Sequence, residues 1–109
     1  MVRSEVMSET VTRLRKAAVE RALHGPGKAS GDARRAAFDN TSATALVAKV
    51  AKNAWKITDE DIAAAKHAGL SEDEIFELVV CAAYGQATRQ LEAALAAVDA
   101  ADAKTEGAA

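Results

Sequence analysis

The chain has 109 residues, a net charge of −2, 50% hydrophobic residues and only 4% aromatics, a composition that fits one soluble domain and leaves no room for a second. The single cysteine excludes an internal disulfide or a cysteine-cluster metal site, and the two histidines, His24 and His67, are too far apart in sequence to read as a ligand pair. No apolar run approaches the roughly 18 residues of a membrane span, and "MVRSEVMSET" has no signal-type stretch, so no membrane association and a cytoplasmic address are expected.

The first predicted helix runs from Ser8 to His24, with Val11, Leu14, Ala18 and Ala22 on one stripe at helical spacing. It stops at "GPGKASGD", where Gly25 suits a left-handed C′ position and Pro26 cannot continue a helix. Residues 25–31 read as a connector. The loop lacks the GxxxxGK[ST] spacing of a phosphate cradle and follows a helix rather than a strand. Asp32 is the expected cap of a short helix, "ARRAAF", and "DNTS" offers caps for the next, "ATALVAKVAKNAW". That helix places Leu46, Val47, Val50, Ala51 and Ala54 on a narrow apolar face, with Lys49 and Lys52 outward. Trp55 and Ile57 fall at a corner and are expected to close the core.

The phrases "ITDEDI" and "LSEDEI" are each a helix start. Thr58 and Ser71 are N-caps, Glu74 completes a capping box with Ser71, and Asp61 is its weaker counterpart after Thr58. Ile57 with Ile62, and Leu70 with Ile75, occupy staple positions. The acids of each first turn complement the helix dipole. Gly69 ends the helix between the two phrases, and His67, in its last turn, reads as structural. A final long helix is predicted from Ser71 to about Ala100. Its first half, "IFELVVCAAYG", is apolar nearly all round and suits a central position. Leu91, Leu95 and Val98 form a stripe in the second half. Gly85 implies a close helix approach or a small kink. The fold expected is therefore all-α, about five helices ending in one long C-terminal helix, with a domain over 1–98 and a disordered tail over 99–109.

The cadence of "DIAAAKHAGLSEDEIFEL" also matches a DNA-binding helix-turn-helix. Glu72, Asp73, Glu74 and Glu77 on its second helix carry the wrong sign for a polyanion, so no nucleic-acid partner is expected.

From "VAKNAW" through "ITDEDIAAAKHAGLSEDEIFELVV" to "AAYGQATRQLEAAL", residues of about 47–98 resemble the C-terminal part of the alkylhydroperoxidase D-like, or carboxymuconolactone decarboxylase-like, family. The resemblance implies an all-helical subunit that assembles into homo-oligomers, which suits an alanine-rich core short of bulky residues. The family's redox members use a C-x-x-C pair with a glutamate before it and a histidine beyond. The corresponding stretch here, "RRAAFDNTSATALVAKVAKNAW", has neither Cys nor His, so no redox residue carries over. The expectation is a non-redox oligomeric or accessory member. The alternative is a cofactor-free decarboxylase or peroxidase-type oxidoreductase.

Cys81 reads as core filler, since burial and a carboxylate one turn away both disfavour its thiolate. Glu77, between Phe76 and Leu78, must face solvent, pair with a cation such as Arg34 or Arg35, or line a pocket. Glu77, Tyr84 and Arg89 are the candidate catalytic residues, and with Trp55 and Gln86 they form the one polar-aromatic set able to surround a small anionic ligand. No metal or cofactor is called for.

Overall fold

The computed structural model describes residues 2–108, with side chains over residues 9–104. It is all-helical among those residues: α1 (Val2–His24), α2 (Gly31–Phe38), α3 (Ala45–Asn53), a 3₁₀ turn (Ala54–Lys56), α4 (Asp59–His67) and α5 (Glu72–Ala108). Five α-helices with a long last one is the architecture expected. None of them is long and apolar enough to cross a membrane among the described residues.

Both repeated phrases start helices through reciprocal capping. Thr58 Oγ1 accepts from the Asp61 amide while Asp61 accepts from the Thr58 amide, a full capping box reinforced by Lys49 Nζ at 2.7 Å from Asp61 Oδ2. Ser71 and Glu74 exchange the same pair of bonds, each at 3.2 Å. Lys49 therefore turns toward α4 instead of outward. α4 ends in a Schellman arrangement: Gly69, at φ 105°, donates to Lys66 and Leu70 donates to Ala65. The same arrangement closes α2, with Asn40 at φ 59° in the left-handed position and Thr41 donating to Ala36. "DNTS" thus ends one helix before it precedes the next.

Other boundaries differ from expectation. α1 begins at Val2, not Ser8. Ser30 rather than Asp32 caps α2, its hydroxyl accepting from the Ala33 amide. Gly25 is not left-handed; it extends the last turn of α1, donating to Arg21 at 2.9 Å. α5 continues to Ala108 where the sequence predicts a tail from residue 99; four of the ten residues from 99 to 108 are alanine, the strongest helix former. At about 1.5 Å per residue this helix accounts for most of the 60 Å long axis of the molecule.

α5 packs against all four other helices, most extensively against α2 and then α3. Its buried face, Leu78, Cys81 and Ala82, meets Leu23 of α1, Ala37 of α2 and Val47 and Val50 of α3. A second cluster joins Leu46, Ala65 and Ile75, and Ile57, Leu70 and Val79 pack against both. Ile57 thus closes the core as expected. Trp55 does not: it is 79% exposed, with Lys56 Nζ 4.8 Å from its ring centre. A 3₁₀ turn eclipses side chains differently from an α-turn, and here it carries the indole outward. Gly85 is a close approach, since a Cβ there would lie 1.9 Å from the Phe38 carbonyl oxygen.

α1 runs antiparallel to α5, with Ala22 meeting Cys81 and Val19 sharing a cleft with Thr88. The predicted stripe of α1 is only partly covered. Ala18 and Ala22 are half-buried, whereas Val11 and Leu14 are exposed. Leu95 and Val98 of α5 are also exposed, and Phe76 is 70% exposed in the half expected to be covered on most sides.

Candidate functional site

The sequence leaves two features unexplained: an acid on an apolar helix and a glycine-rich loop that matches no phosphate motif. The structure joins them. Glu77 Oε1 accepts from the Lys28 amide at 2.8 Å, and Oε2 accepts from the Ala29 amide at 2.7 Å and from Lys28 at 3.0 Å. The loop between α1 and α2 is an anion cradle filled by the protein's own carboxylate. A side chain at position 27 would displace this pair, since a Cβ there would lie 2.1 Å from Glu77 Oε1 and 2.2 Å from Arg34 Nη2.

Arg34 stands behind the carboxylate and is 5% exposed, the one buried charged residue in the described chain. Its Nη1 donates to Gly25 O at 2.6 Å, covering the C-terminal end of α1. Its Nη2 lies 3.9 Å from Glu77 Oε1, an ion pair beyond hydrogen-bond reach, and its buried Nε has no acceptor. Of the two cations expected near Glu77, Arg34 is therefore the partner. Arg35 pairs instead with Asp39 at 3.0 Å, and its guanidinium lies over the Phe38 ring.

The Ala29 and Lys28 amides, more than Arg34, hold the Glu77 carboxyl below its ordinary range. It is ionised at neutral pH and all its near donors are in place, which suits an anchor and not a proton donor. Cys81 is 1% exposed and lies one turn on, its Sγ 3.3 Å from Ala22 O. Burial pushes the thiol up; Arg34 acts against this and Glu77 adds to it. The thiol stays protonated, as the sequence implied.

The three candidate residues separate. Tyr84 and Glu77 line one cleft of about 270 Å³ between α1 and α5, together with Ala18, Val80, Phe76 and Arg34. Arg89 faces another way. Its Nη1 donates to Phe38 O at 2.7 Å and its Nη2 to Gln86 Oε1 at 3.2 Å, so it caps the C-terminus of α2. Trp55, on the turn after α3, is not among the residues of the cleft. The sequence reading missed Arg21 and Pro26, which also border it. Their signal was the position of the loop at the end of α1, opposite the lone acid. Among the described residues, no three His, Cys, Asp or Glu side chains converge as a metal site would require.

Compared with known proteins, the chain matches no family model, no curated protein and no solved structure.

Proposed function

We propose that the chain is a non-redox subunit of the alkylhydroperoxidase D-like, or carboxymuconolactone decarboxylase-like, type, acting through self-association as an oligomeric or accessory member. The observation that carries this reading is the state of Cys81. The single thiol of the chain is buried, held protonated and without a second sulfur to resolve an oxidised intermediate. Peroxidase-type turnover needs an accessible thiolate, and a decarboxylase needs a group that exchanges protons. Glu77, fixed as an ionised anchor of the loop, supplies neither.

Self-association is supported by apolar side chains that the subunit leaves in water, Val11, Leu14, Leu95 and Val98 among them. Sedimentation velocity at micromolar concentration is expected to show a dimer or larger assembly that a Leu95→Glu, Val98→Glu double variant weakens. A monomer at every concentration would overturn self-association. Rapid native labelling of Cys81, with peroxide turnover lost in Cys81→Ala, would overturn the non-redox part.

A further inference from the structure

We propose that the cleft between α1 and α5 binds a small monocarboxylate with an apolar body, its carboxylate drawn to the guanidinium groups of Arg34 and Arg21 and its body lying against Ala18, Val80, Phe76 and Tyr84. The proposal goes beyond self-association and does not depend on it.

The argument begins with Arg34. A buried guanidinium with an unpaired donor is costly, and such a donor in a native fold points to something that completes it. Nη1 is engaged with Gly25 O and Nε is sealed inside the fold without an acceptor, whereas Nη2, with no acceptor within hydrogen-bond distance, is the donor left for a ligand in the cleft. A carboxylate oxygen meets such a donor with a short charge-assisted bond. Glu77 does not fill the role, because its oxygens are turned to the Lys28 and Ala29 amides.

Arg21 lies at the same cleft, is exposed, and makes no ion pair among the described residues. Two guanidiniums against one carboxylate leave the cleft net positive. The lining decides the rest of the ligand. Apart from these three charges it is alanine, proline, valine and two aromatic rings, and at about 270 Å³ it sits at the small end of ligand pockets. A cation would be repelled by both arginines, and the Glu77 oxygens are already bonded to the loop amides. A neutral apolar molecule would leave Arg34 Nη2 without an acceptor. A phosphate dianion would bring more charge than the single surplus guanidinium offsets and no apolar body for the walls.

The test uses the full-length, ¹⁵N-labelled protein titrated with sodium benzoate and sodium hexanoate, and with benzyl alcohol and hexan-1-ol as uncharged counterparts. At least one acid is expected to shift the amide signals of Ala18, Ala22, Val80 and Tyr84 saturably. Its alcohol should bind about tenfold more weakly or less, because it lacks the charge-assisted bonds. Arg34 is part of the fold, so the variants are at the rim and wall. Arg21→Gln should weaken the acid severalfold while leaving the alcohol unchanged, and Ala18→Phe, on the half-buried face of α1, should abolish both. Saturation by neither acid, equal binding of acid and alcohol, or undiminished binding in Ala18→Phe would each overturn the assignment. These shifts are read whatever the oligomeric state, so their absence would leave the sedimentation result standing on its own.

Discussion

Replacing Gly85 with alanine probes the close approach of α5 to the end of α2. An added Cβ would lie 1.9 Å from the oxygen, 2.7 Å from the carbon and 2.9 Å from the Cα of Phe38, all backbone atoms that cannot rotate away. Restoring ordinary contact near 3.4 Å requires the end of α2 to retreat by about 1.5 Å, which places the change among overpacking substitutions costing about 1–3 kcal/mol. The retreat also pulls Phe38 O from Arg89 Nη1, a bond to a charged donor worth about 1.5–3 kcal/mol. Against this stands about 1 kcal/mol of helix propensity gained by alanine over glycine. The net expectation is a loss of roughly 3 kcal/mol, or about 12 °C in Tm for a domain of this size. Thermal melting followed by far-ultraviolet circular dichroism measures it. Gly31→Ala is the control, since nothing lies within 4 Å of its added Cβ and its φ is ordinary. It should stabilise by about 0.4–1 kcal/mol through the unfolded chain. A Gly85→Ala protein melting at or above the wild type would refute the contact argument.

Ser71→Ala removes the acceptor for the Glu74 amide and should lower the urea unfolding free energy by about 0.5–2 kcal/mol; an unchanged midpoint would sink the capping assignment. Glu77 has its pKa depressed in the fold, so its contribution is present above the ordinary value of about 4.3 and is lost as pH falls through the folded value. The urea midpoint should therefore fall steeply below about pH 4.5 in the wild type and less steeply in Glu77→Gln, which should be weaker already at neutral pH; parallel profiles would contradict this. Cys81 should react with a thiol reagent far more slowly in the native protein than in the unfolded chain. Cys81→Ala should cost about 1 kcal/mol, the scale of deleting one buried heavy atom.

Helix number, both capping phrases, the Gly69 stop and the Gly85 approach were legible because each is a local rule written in neighbouring residues. What failed was local chemistry with two solutions. Asn40 could cap the following helix or end the preceding one in the left-handed region, and only the direction of the chain after Phe38 decides it. Trp55 at a chain corner points to the core, and the apolar run holding Phe76 points to a helix covered on most sides, yet a 3₁₀ turn and the bare side of α5 leave both rings in water. At the site, the sequence isolated Glu77 and named Arg34 as one possible partner. It did not reveal that backbone amides hold the carboxylate, because amide donors belong to every residue and carry no letter. Arg89 showed the converse: its charge suggested an anion, and its position supplied a carbonyl.

The Glu77 anchor also sets how the molecule comes apart. Lys28 and Ala29 sit in a short connector, where amides ordinarily exchange with solvent through small local openings. Here they are bound to a side chain 49 and 48 residues away in sequence. Their release requires the carboxylate to swing out or α5 to detach, so the exchange of two loop amides depends on a contact with the longest helix. The same span means that these bonds form only after residues 28 to 77 have been brought together, a closure whose entropy must be met first. Deuterium uptake at these two positions thus reports on a contact made by a helix nearly fifty residues further along the chain.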